Sequence, residues 1–578
     1  MKAKKRKHQC YSFLLTLLGF TLLGFTQVSQ AQNIVITGTV TENNSISSPL
    51  PGVNITVKGN TTKGTQTDFD GKYSIEVEGS ETTLVFQYLG FVTKEVPVGN
   101  QTVINVNLEE DSQTLDEIVL VGYGTQRKND ITAAITSVNV DEIQKIPTAD
   151  IATSLQGQVA GLNVAIASGA PGSDPVIRIR GLGTINDNDP LYVIDGVPGD
   201  LSYVNPADIE NISILRDASA ATIYGSRASN GVIIVTTKRG KSGEPQVVVN
   251  SYASVHSIDN NINVANRSQH DQIKLEAYAN ANSTDIPAYL TNGVQYADSD
   301  WADAYYKNAF EQKHDISVSG GSDATNYNFS AGYFENTGTV INTDFNRFNT
   351  RINMDIKLLN NRLKISPGLS YAKERKRNIF EPLGGGNASF SPFLNIYSQL
   401  PHKEIYDASS LNGFATPADG LGSGNPIGEG ELTDRKEQNE YSQFNIATDL
   451  KLFDGLSYRF QYGLNVENEH FFFFLPIYDF GSQATNENPF LSETRFRTTN
   501  WTLNNTLNYI KSFGDHDLDI LVGGSKEETK FNSVGGNNNK LSSSDVQALN
   551  QGIGDADSFG RNLTSTLQSV FGRISYDY

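Results

Sequence analysis

Apolar and polar residues alternate in ten segments between residues 246 and 578. A period of two residues places one kind of side chain on each face of an extended strand. The alternation therefore predicts ten strands: Gln246–His256, Asp315–Gly321, Asn326–Phe334, Arg347–Leu358, Leu363–Lys373, Tyr441–Leu452, Ser457–Glu467, Thr498–Lys511, His516–Ser525 and Ser569–Tyr578.

The connections between these strands alternate in length. Four are tight turns, at Ser322–Thr325, Leu359–Arg362, Phe453–Leu456 and Ser512–Asp515. The others are longer and cover residues 257–314, 335–346, 374–440, 468–497 and 526–568. Short turns at one end of a sheet and long loops at the other are typical of outer-membrane barrels. We therefore predict a meandering antiparallel sheet that belongs to a transmembrane barrel.

Ten strands are too few to close a barrel around a folded domain, because a plugged lumen needs about 22 strands. We expect residues 241–578 to be the N-terminal part of a truncated barrel. Its sheet should stay open and curved, with edges at Gln246–His256 and Ser569–Tyr578. Its concave face should hold the middle of the chain.

Shorter strand patterns occupy residues 32–108 and are separated by Pro-Gly and Asp-Gly turns. They predict a β-sandwich over Ile34–Leu108. The segment Asp68–Gly71 has carboxylates that suit calcium, but it lacks the other ligand positions of an EF-hand. A plain hairpin turn is the favoured interpretation. Residues 109–130 follow as a linker.

The middle of the chain, residues 131–240, mixes two periodicities. The spacing of apolar residues predicts helices over Thr136–Ile146 and Ile151–Ala160. Apolar, β-branched runs predict strands at Leu191–Ile194 and Val232–Thr237. Alternation over Val176–Gly183 places Arg178 and Arg180 on one face of a strand. This part is expected to be an α+β domain.

The first 31 residues have the pattern of a secretory signal peptide. Basic residues precede the apolar run Phe13–Phe25, and small residues precede a cleavage site after Ala31. The apolar run is too short for a membrane-spanning helix. Cys10 is the single cysteine of the chain, so the mature protein would have no thiol for disulfides or metal ligation.

Composition excludes several functional classes. The net charge of −19 argues against nucleic acid as a partner. No catalytic residue, metal centre or cofactor is predicted, because no nucleophile elbow occurs and no two histidines have helical metal-ligand spacing. The histidines beyond residue 31 are His256, His270, His314, His402, His470 and His516. The aromatic run Phe471–Phe474 is expected in a long loop, where it either packs or stacks on a ligand.

The segment Leu191–Gly240 closely resembles the plug of TonB-dependent outer-membrane receptors of the SusC-like class. The segment Leu155–Leu162 is similar to a further plug motif, and Ile34–Leu108 resembles the carboxypeptidase-regulatory-like domain that precedes many such plugs. The residues that carry the plug resemblance, called here the plug signature, are Arg178, Arg180, Gly181, Asp195, Gly196, Arg216, Asp217, Tyr224, Gly225 and Gly231.

The β-branched run in the linker resembles the TonB box, the segment to which the periplasmic protein TonB adds a strand. It comprises Asp116, Glu117, Ile118, Val119, Leu120 and Val121. An extended segment of this kind offers main-chain hydrogen bonds to a partner's sheet edge. An ordinary first strand of the next domain is the alternative interpretation.

The resemblance implies a mainly β protein with a sandwich, an α+β plug and an incomplete barrel in a Gram-negative outer membrane. It implies import of an oligosaccharide or peptide with a SusD-like surface lipoprotein, contact with outer-membrane lipid, and a periplasmic N-terminal domain. An envelope adhesin or scaffold on the same barrel, without active transport, remains the alternative. A carbohydrate-active enzyme is disfavoured, because no pair of catalytic carboxylates can be singled out.

Overall fold

The computed structural model describes most of the residues that follow residue 32. It describes residues 33–42, 48–58, 60–79, 82–88, 91–109, 118–121, 124–127, 135–138, 140–146, 148, 150–166, 168–183, 185, 188–217, 222–259, 262–291, 296–378, 392–416, 424–480, 485–514 and 516–578. The expected signal peptide, residues 1–31, lies outside this part. The described residues form two compact units, one that runs to Ile118 and includes Arg127, and one that holds the other residues from Val119 onward.

The first unit is the predicted β-sandwich. Its strands are β1 (Asn33–Glu42), β2 (Asn54–Val57), β3 (Asn60–Gln66), β4 (Lys72–Glu78), β5 (Thr83–Gln87), β6 (Lys94–Pro97) and β7 (Val106–Leu108). One sheet has the order β4-β1-β7 and the other β3-β2-β5-β6. Alternate residues of both sheets form one apolar core, in which Ile36, Ile55, Leu84 and Phe86 are fully buried.

The hairpin predicted at Asp68–Gly71 is wrong, because β3 and β4 belong to different sheets. The turn instead carries the chain from one sheet to the other. One carboxylate oxygen of Asp68 accepts hydrogen bonds from the backbone nitrogens of Asp70, at 3.0 Å, and Lys72, at 2.8 Å. Gly71 has φ +73°, a left-handed conformation that glycine adopts without strain.

The short pair β8 (Ile118–Val121) and β9 (Gly124–Arg127) comes next along the chain. The middle domain follows, with β10 (Ile135–Val138), β11 (Leu162–Ala165), β12 (Val176–Ile179), β13 (Leu191–Ile194), β14 (Val197–Pro198), β15 (Ile209–Leu215) and β16 (Val232–Thr237). Five strands form a sheet of order β10-β15-β16-β13-β14. The two predicted apolar strands, β13 and β16, are parallel neighbours in it.

The helix predicted over Thr136–Ile146 is partly wrong. Residues Ile135–Val138 form β10, which pairs with β15, and the helix covers Val140–Gln144. Three β-branched or hydroxyl residues at the start of the run suit a strand better than a helix. The second predicted helix covers Ile151–Ser154 and ends in turns, where Gly157 and Gly161 have positive φ angles of 75° and 82°.

The ten predicted strands all form. They are β17 (Gly243–His256), β18 (Ala309–Gly321), β19 (Thr325–Asn336), β20 (Asp344–Leu358), β21 (Leu363–Arg377), β22 (Asp434–Phe453), β23 (Leu456–Leu475), β26 (Phe490–Phe513), β27 (His516–Asn538) and β28 (Ala556–Asp577). A small hairpin of β24 (Tyr478–Asp479) and β25 (Thr485–Asn486) lies between β23 and β26. The ten strands make one antiparallel meander with β17 and β28 at its edges, as predicted.

The two faces of this sheet differ in polarity. In β20 the buried side chains include Arg347, Asn349, Arg351 and Asn353, whereas Phe348 and Ile352 between them are exposed. The neighbouring strands β18 and β19 repeat the arrangement, with buried Asp315 and Asn328 and exposed Ile316 and Phe329. The face with the buried residues is called here the polar face, and the opposite one the apolar face.

The long connections lie at one end of the sheet and carry their own apolar cluster, called here the connection core. Four connections contribute buried residues to it: Trp301 and Tyr305 from the first, Ile341 from the second, Ile396, Phe414 and Ile427 from the third, and Phe480 from the fourth. Short helices at Trp301–Tyr305, Pro392–Ser398 and Pro426–Leu432 present several of these side chains. Among the described helices, including Arg267–Asn280, none is long and apolar enough to cross a bilayer.

The run Phe471–Phe474 was expected in a long loop, but it lies in β23. The strand continues further toward the long connections than its alternation predicted. Phe471 and Phe473 pack against Phe496 and Phe490 of β26, with ring centroids 5.7 Å apart in each pair. These contacts support a packing role for the run.

Candidate functional site

The tip of the hairpin β13–β14 is one point at which the middle domain contacts the polar face. Asp195 and Gly196 form its two-residue turn with φ angles of +50° and +83°. Two positive φ angles characterise the type I′ turn, for which Asp-Gly is a preferred sequence. The Asp195 carbonyl accepts a hydrogen bond from Gln461 Nε2 of β23 at 2.8 Å. A Cβ at Gly196 would lie 2.7 Å from the same nitrogen, so a side chain there would displace the Gln461 amide, and the φ of +83° favours glycine.

The Asp195 carboxylate connects the middle domain to β20. Its oxygens accept hydrogen bonds from the Thr237 nitrogen at 2.9 Å and the Thr237 hydroxyl at 2.7 Å. One oxygen also accepts a bond from Arg351 Nη1 at 3.3 Å. The Arg351 and Asp195 side chains are only 5% and 2% exposed, so this ion pair is almost fully removed from water.

A second carboxylate shares the same guanidinium. Asp208 Oδ2 lies 3.8 Å from Arg351 Nε. Burial raises the pKa of the Asp208 carboxyl above its ordinary value, and the charge of Arg351 opposes this rise. One sheet cation thus faces two carboxylates of the middle domain, Asp195 and Asp208.

The next inward residues of β20 continue the contact. Asn353 Nδ2 donates to the Thr237 hydroxyl at 2.8 Å and to the Lys238 carbonyl at 2.9 Å. Arg239 Nη1 donates to Asp355 Oδ1 at 2.9 Å. Side chains two residues apart share a strand face. Arg351, Asn353 and Asp355 of β20 therefore all face the middle domain around the end of β16.

Other strands of the sheet hold the segment between β14 and β15. The Tyr203 hydroxyl donates to Glu467 Oε1 at 2.7 Å, and its ring stacks on Tyr441 with centroids 4.7 Å apart. Asn205 Nδ2 donates to Asp315 Oδ1 at 2.7 Å, while its own side-chain oxygen caps the short helix Pro206–Asp208. The contact is therefore polar and spread over several strands.

Close packing accompanies these polar contacts. Val197 fits against Gly463 of β23, where a Cβ would lie 2.4 Å from a Val197 methyl. Arg227 pairs with Glu527 of β27, and Arg347 Nη1 donates to the Ser202 carbonyl. The interface thus combines the buried ion pair Asp195–Arg351 with close packing of Val197 on Gly463.

The plug-signature residues have different places in this arrangement. Asp195 and Gly196 contact the sheet, as described above. Arg178 pairs with Asp189 within the middle domain. Arg180 lies beyond the end of β12 with φ +59°, so the predicted shared strand face stops at Arg178. Gly181 follows with φ +91°, so the chain has left the extended conformation there.

The remaining signature residues shape the middle domain itself. Arg216, which precedes Asp217 after the end of β15, donates to the Ala160 carbonyl. Tyr224 is buried in an apolar cluster, and Gly225 kinks the 3-10 segment Thr222–Ala228. Gly231 has φ +90°, and a Cβ there would lie 2.8 Å from Ile179. These positions account for much of the local fold rather than for contacts with the sheet.

Sequence reasoning missed the partners on the sheet, which include Arg347, Arg351, Asn353 and Asp355 of β20. Their signal is present as polar residues at every second position of a strand whose other positions include Phe348 and Ile352. Of the predicted TonB box, Ile118–Val121 form β8, which pairs with β9. Asp116 and Glu117 lie outside the described residues.

Comparison with protein families identifies two domains. Residues 127–232 match the TonB-dependent Receptor Plug Domain, and residues 36–120 match the CarboxypepD_reg-like domain. The first match covers most of the middle domain, which is called the plug from here on. The second covers most of the sandwich and reaches into β8.

Comparison with curated proteins and solved structures extends these matches. TonB-dependent receptor P3 of Formosa agariphila is 34% identical over 100% of this chain and 55% of its own length. TonB-dependent receptor SusC of Bacteroides thetaiotaomicron is 32% identical over 94% of this chain and 55% of its own length. The RagAB peptide importer in its open-open state has the same fold, with a TM-score of 0.68 and 24% identity over 80% of this chain and 55% of that chain.

The chain spans about half the length of the curated relatives that it matches. Within that span the chain contains a CarboxypepD_reg-like domain, then the plug, then the ten-stranded antiparallel sheet. The chain is therefore a homologue of the SusC-like TonB-dependent receptors and has their fold.

Proposed function

We propose that this protein imports a large nutrient, an oligosaccharide or a peptide, across the outer membrane of a Gram-negative cell. A SusD-like surface lipoprotein would deliver the nutrient to the end of the sheet that carries the long connections. The buried polar contact between the plug and the polar face is the observation that carries this proposal. Import of this kind requires displacement of the plug and no covalent chemistry.

The apolar face of the sheet supports the proposal that the sheet lies in a lipid bilayer. Phe329, Phe348 and Ile352 are exposed on neighbouring strands, whereas the buried face of the same strands is polar. A water-soluble β protein has the reverse arrangement, because its apolar residues avoid water. In a bilayer the apolar face meets hydrocarbon, and the polar face meets the plug and the lumen.

The chemistry of the plug contact suits a domain that must move. Hydrogen bonds such as those from Asn353 and Gln461 can be exchanged for hydrogen bonds to water as the plug leaves. An apolar contact of the same size would lose its whole burial energy on exposure. The buried pair Asp195–Arg351 holds the plug until force or ligand alters the contact.

The segment Asp116–Val121 is proposed to be the TonB box. Its described part, Ile118–Val121, has an extended backbone in β8. Because β8 already pairs with β9, a strand of TonB would pair with its other edge or replace β9, and TonB would then supply the pulling force. In this proposal the N-terminal sandwich is periplasmic, because it precedes the box.

Proline at Val119 tests the box. The substitution Val119→Pro removes one main-chain donor and should block strand addition. Energy-dependent nutrient uptake by cells should fall at least tenfold, while binding of the nutrient at the cell surface persists. The matched variant Val119→Ala keeps the donor and should retain most of the uptake. Equal uptake by the proline variant and the unsubstituted protein would refute the box assignment.

Collapse of the proton gradient separates import from the alternative function as an adhesin or scaffold. An importer that depends on TonB should stop accumulating labelled oligosaccharide or peptide when an uncoupler is added. A scaffold should bind cells or ligands to the same extent with and without the uncoupler. Ligand binding without any gradient-dependent accumulation would favour the scaffold.

A further inference from the structure

Two histidines and an aspartate from two long connections of the sheet meet in one cluster. His270 and Asp271 lie on the helix Arg267–Asn280, between β17 and β18. His402 follows the helix Pro392–Ser398, between β21 and β22. One potential metal-ligand atom from each of the three residues lies within 4.8 Å of the others. The distance from His270 Nδ1 to Asp271 Oδ1 is 3.2 Å.

The cluster is built into packed surroundings. The ring of Tyr289 stacks on His402 with centroids 3.9 Å apart and an interplanar angle of 13°. The backbone beside His402 is held from the first connection, since the Ser299 nitrogen donates to the Pro401 carbonyl at 2.7 Å and the Ser299 hydroxyl to the Lys403 carbonyl at 2.6 Å. The histidine is thus fixed opposite the helix.

The polar atoms of the cluster point to a ligand. The His402 side chain is buried, at 4% exposed, and the His270 side chain is 12% exposed. His270 Nε2 is buried and has no hydrogen-bond partner among the described residues. A buried nitrogen without a partner carries a desolvation cost that a ligand would remove.

The aspartate is oriented by a neighbour. Arg267 Nε lies 3.4 Å from Asp271 Oδ2, while the other carboxylate oxygen faces His270. Carboxylate ligands of metal ions are commonly held in this way by a second polar group. The arrangement leaves one oxygen of Asp271 directed at the cluster.

We propose that His270, Asp271 and His402 bind a divalent transition-metal ion, with zinc as the best match. Two imidazole nitrogens and one carboxylate oxygen are usual zinc donors, and a water molecule completes a tetrahedral site. One potential ligand atom from each of the three residues already lies within 4.8 Å of the others, so the three side chains can face one ion. The ion would fasten the first connection to the third. This inference does not depend on the proposed function.

Zinc titration of the whole chain tests the site. The protein is purified in detergent, treated with a chelator and titrated with zinc chloride in a calorimeter. The unsubstituted chain should bind one equivalent, and His270→Ala and Asp271→Asn should each weaken binding at least tenfold. The controls His314→Ala and His516→Ala, at histidines elsewhere on the sheet, should bind zinc like the unsubstituted protein.

A variant that preserves packing guards against misfolding. His402→Phe keeps a ring against Tyr289 but removes both nitrogens, so it should fold and yet lose zinc affinity. Zinc should also protect the region of residues 267–305 from proteolysis in the unsubstituted chain and not in His402→Phe. Zinc binding by His402→Phe or His270→Ala with unchanged affinity, or no binding by the unsubstituted chain, would overturn the assignment.

Discussion

The N-terminal sandwich and the ten-stranded sheet bury opposite kinds of residues with the same two-residue period. In the sandwich, Ile55 of β2 and Phe86 of β5 are fully buried. In the sheet, Arg351 and Asn353 of β20 are buried, while Ile352 between them is exposed. Alternation therefore shows that a strand has two unlike faces, but it does not show which face is the inner one.

This difference in buried residues indicates that the sandwich and the sheet suit different surroundings. Water surrounds a sandwich, so apolar side chains gather inside it. The sheet has an apolar face that suits hydrocarbon and a polar face that holds the plug through ion pairs and hydrogen bonds. Three substitutions, each with a control, test this contrast.

The largest effect is expected in the sandwich core. Phe86→Ala removes a fully buried ring and should cost about 4 kcal/mol of local unfolding free energy. Phe69→Ala is the matched control, because the Phe69 side chain is 93% exposed. Hydrogen exchange of the β2 and β5 amides in the whole chain measures both. Similar exchange rates in the two variants would show that the apolar core does not hold the sandwich together.

The next effect is expected at the plug contact. Arg351→Leu leaves Asp195 and Asp208 without their shared cation and should destabilise the docked plug by about 3 kcal/mol. Arg495→Ala, at an exposed pair with Glu493, should cost less than about 1 kcal/mol. Protease susceptibility of the plug in detergent reports the docking. A plug equally resistant in both variants would contradict a stabilising role for the buried pair.

The smallest effect is expected on the apolar face. Ile352→Lys places a charge toward lipid and should cost about 2 kcal/mol in vesicles. Val35→Lys, on an exposed position of the sandwich, should change stability by less than about 0.5 kcal/mol. Denaturant titration of the vesicle-bound chain measures each. If Ile352→Lys is as well tolerated as Val35→Lys, this face of the sheet does not meet hydrocarbon.

The sequence predicted the strands better at one end of the sheet than at the other. Near the short turns the bounds agree, as for β21, which begins at Leu363, and β27, which begins at His516. Near the long connections the strands are longer, since β22 begins at Asp434 rather than Tyr441 and β26 at Phe490 rather than Thr498. Main-chain pairing continues there without clear apolar alternation. Alternation in the sequence marks the part of a strand whose two faces have different surroundings. Main-chain hydrogen bonding, which extends further, determines where the strand ends.

The site was predictable only in part. Asp195 and Gly196 were identified through the plug resemblance, and the Asp-Gly turn has a physical signature of its own. Arg351 is separated from Asp195 by 156 positions, and no local spacing relates them. The metal-ligand candidates His270 and His402 are likewise brought together by folding. Local patterns predict secondary structure, but partners distant in the sequence require the tertiary fold.

The connection core has a consequence for how this protein can diversify. Loops that stand alone can change length and sequence one at a time. Here Trp301, Ile341, Phe414 and Phe480 come from four separate connections and pack into one cluster. A graft that replaces one connection with that of a relative would leave the other three without part of their packing. New ligand preferences are therefore expected to arise by coordinated exchange of these connections as one inherited block.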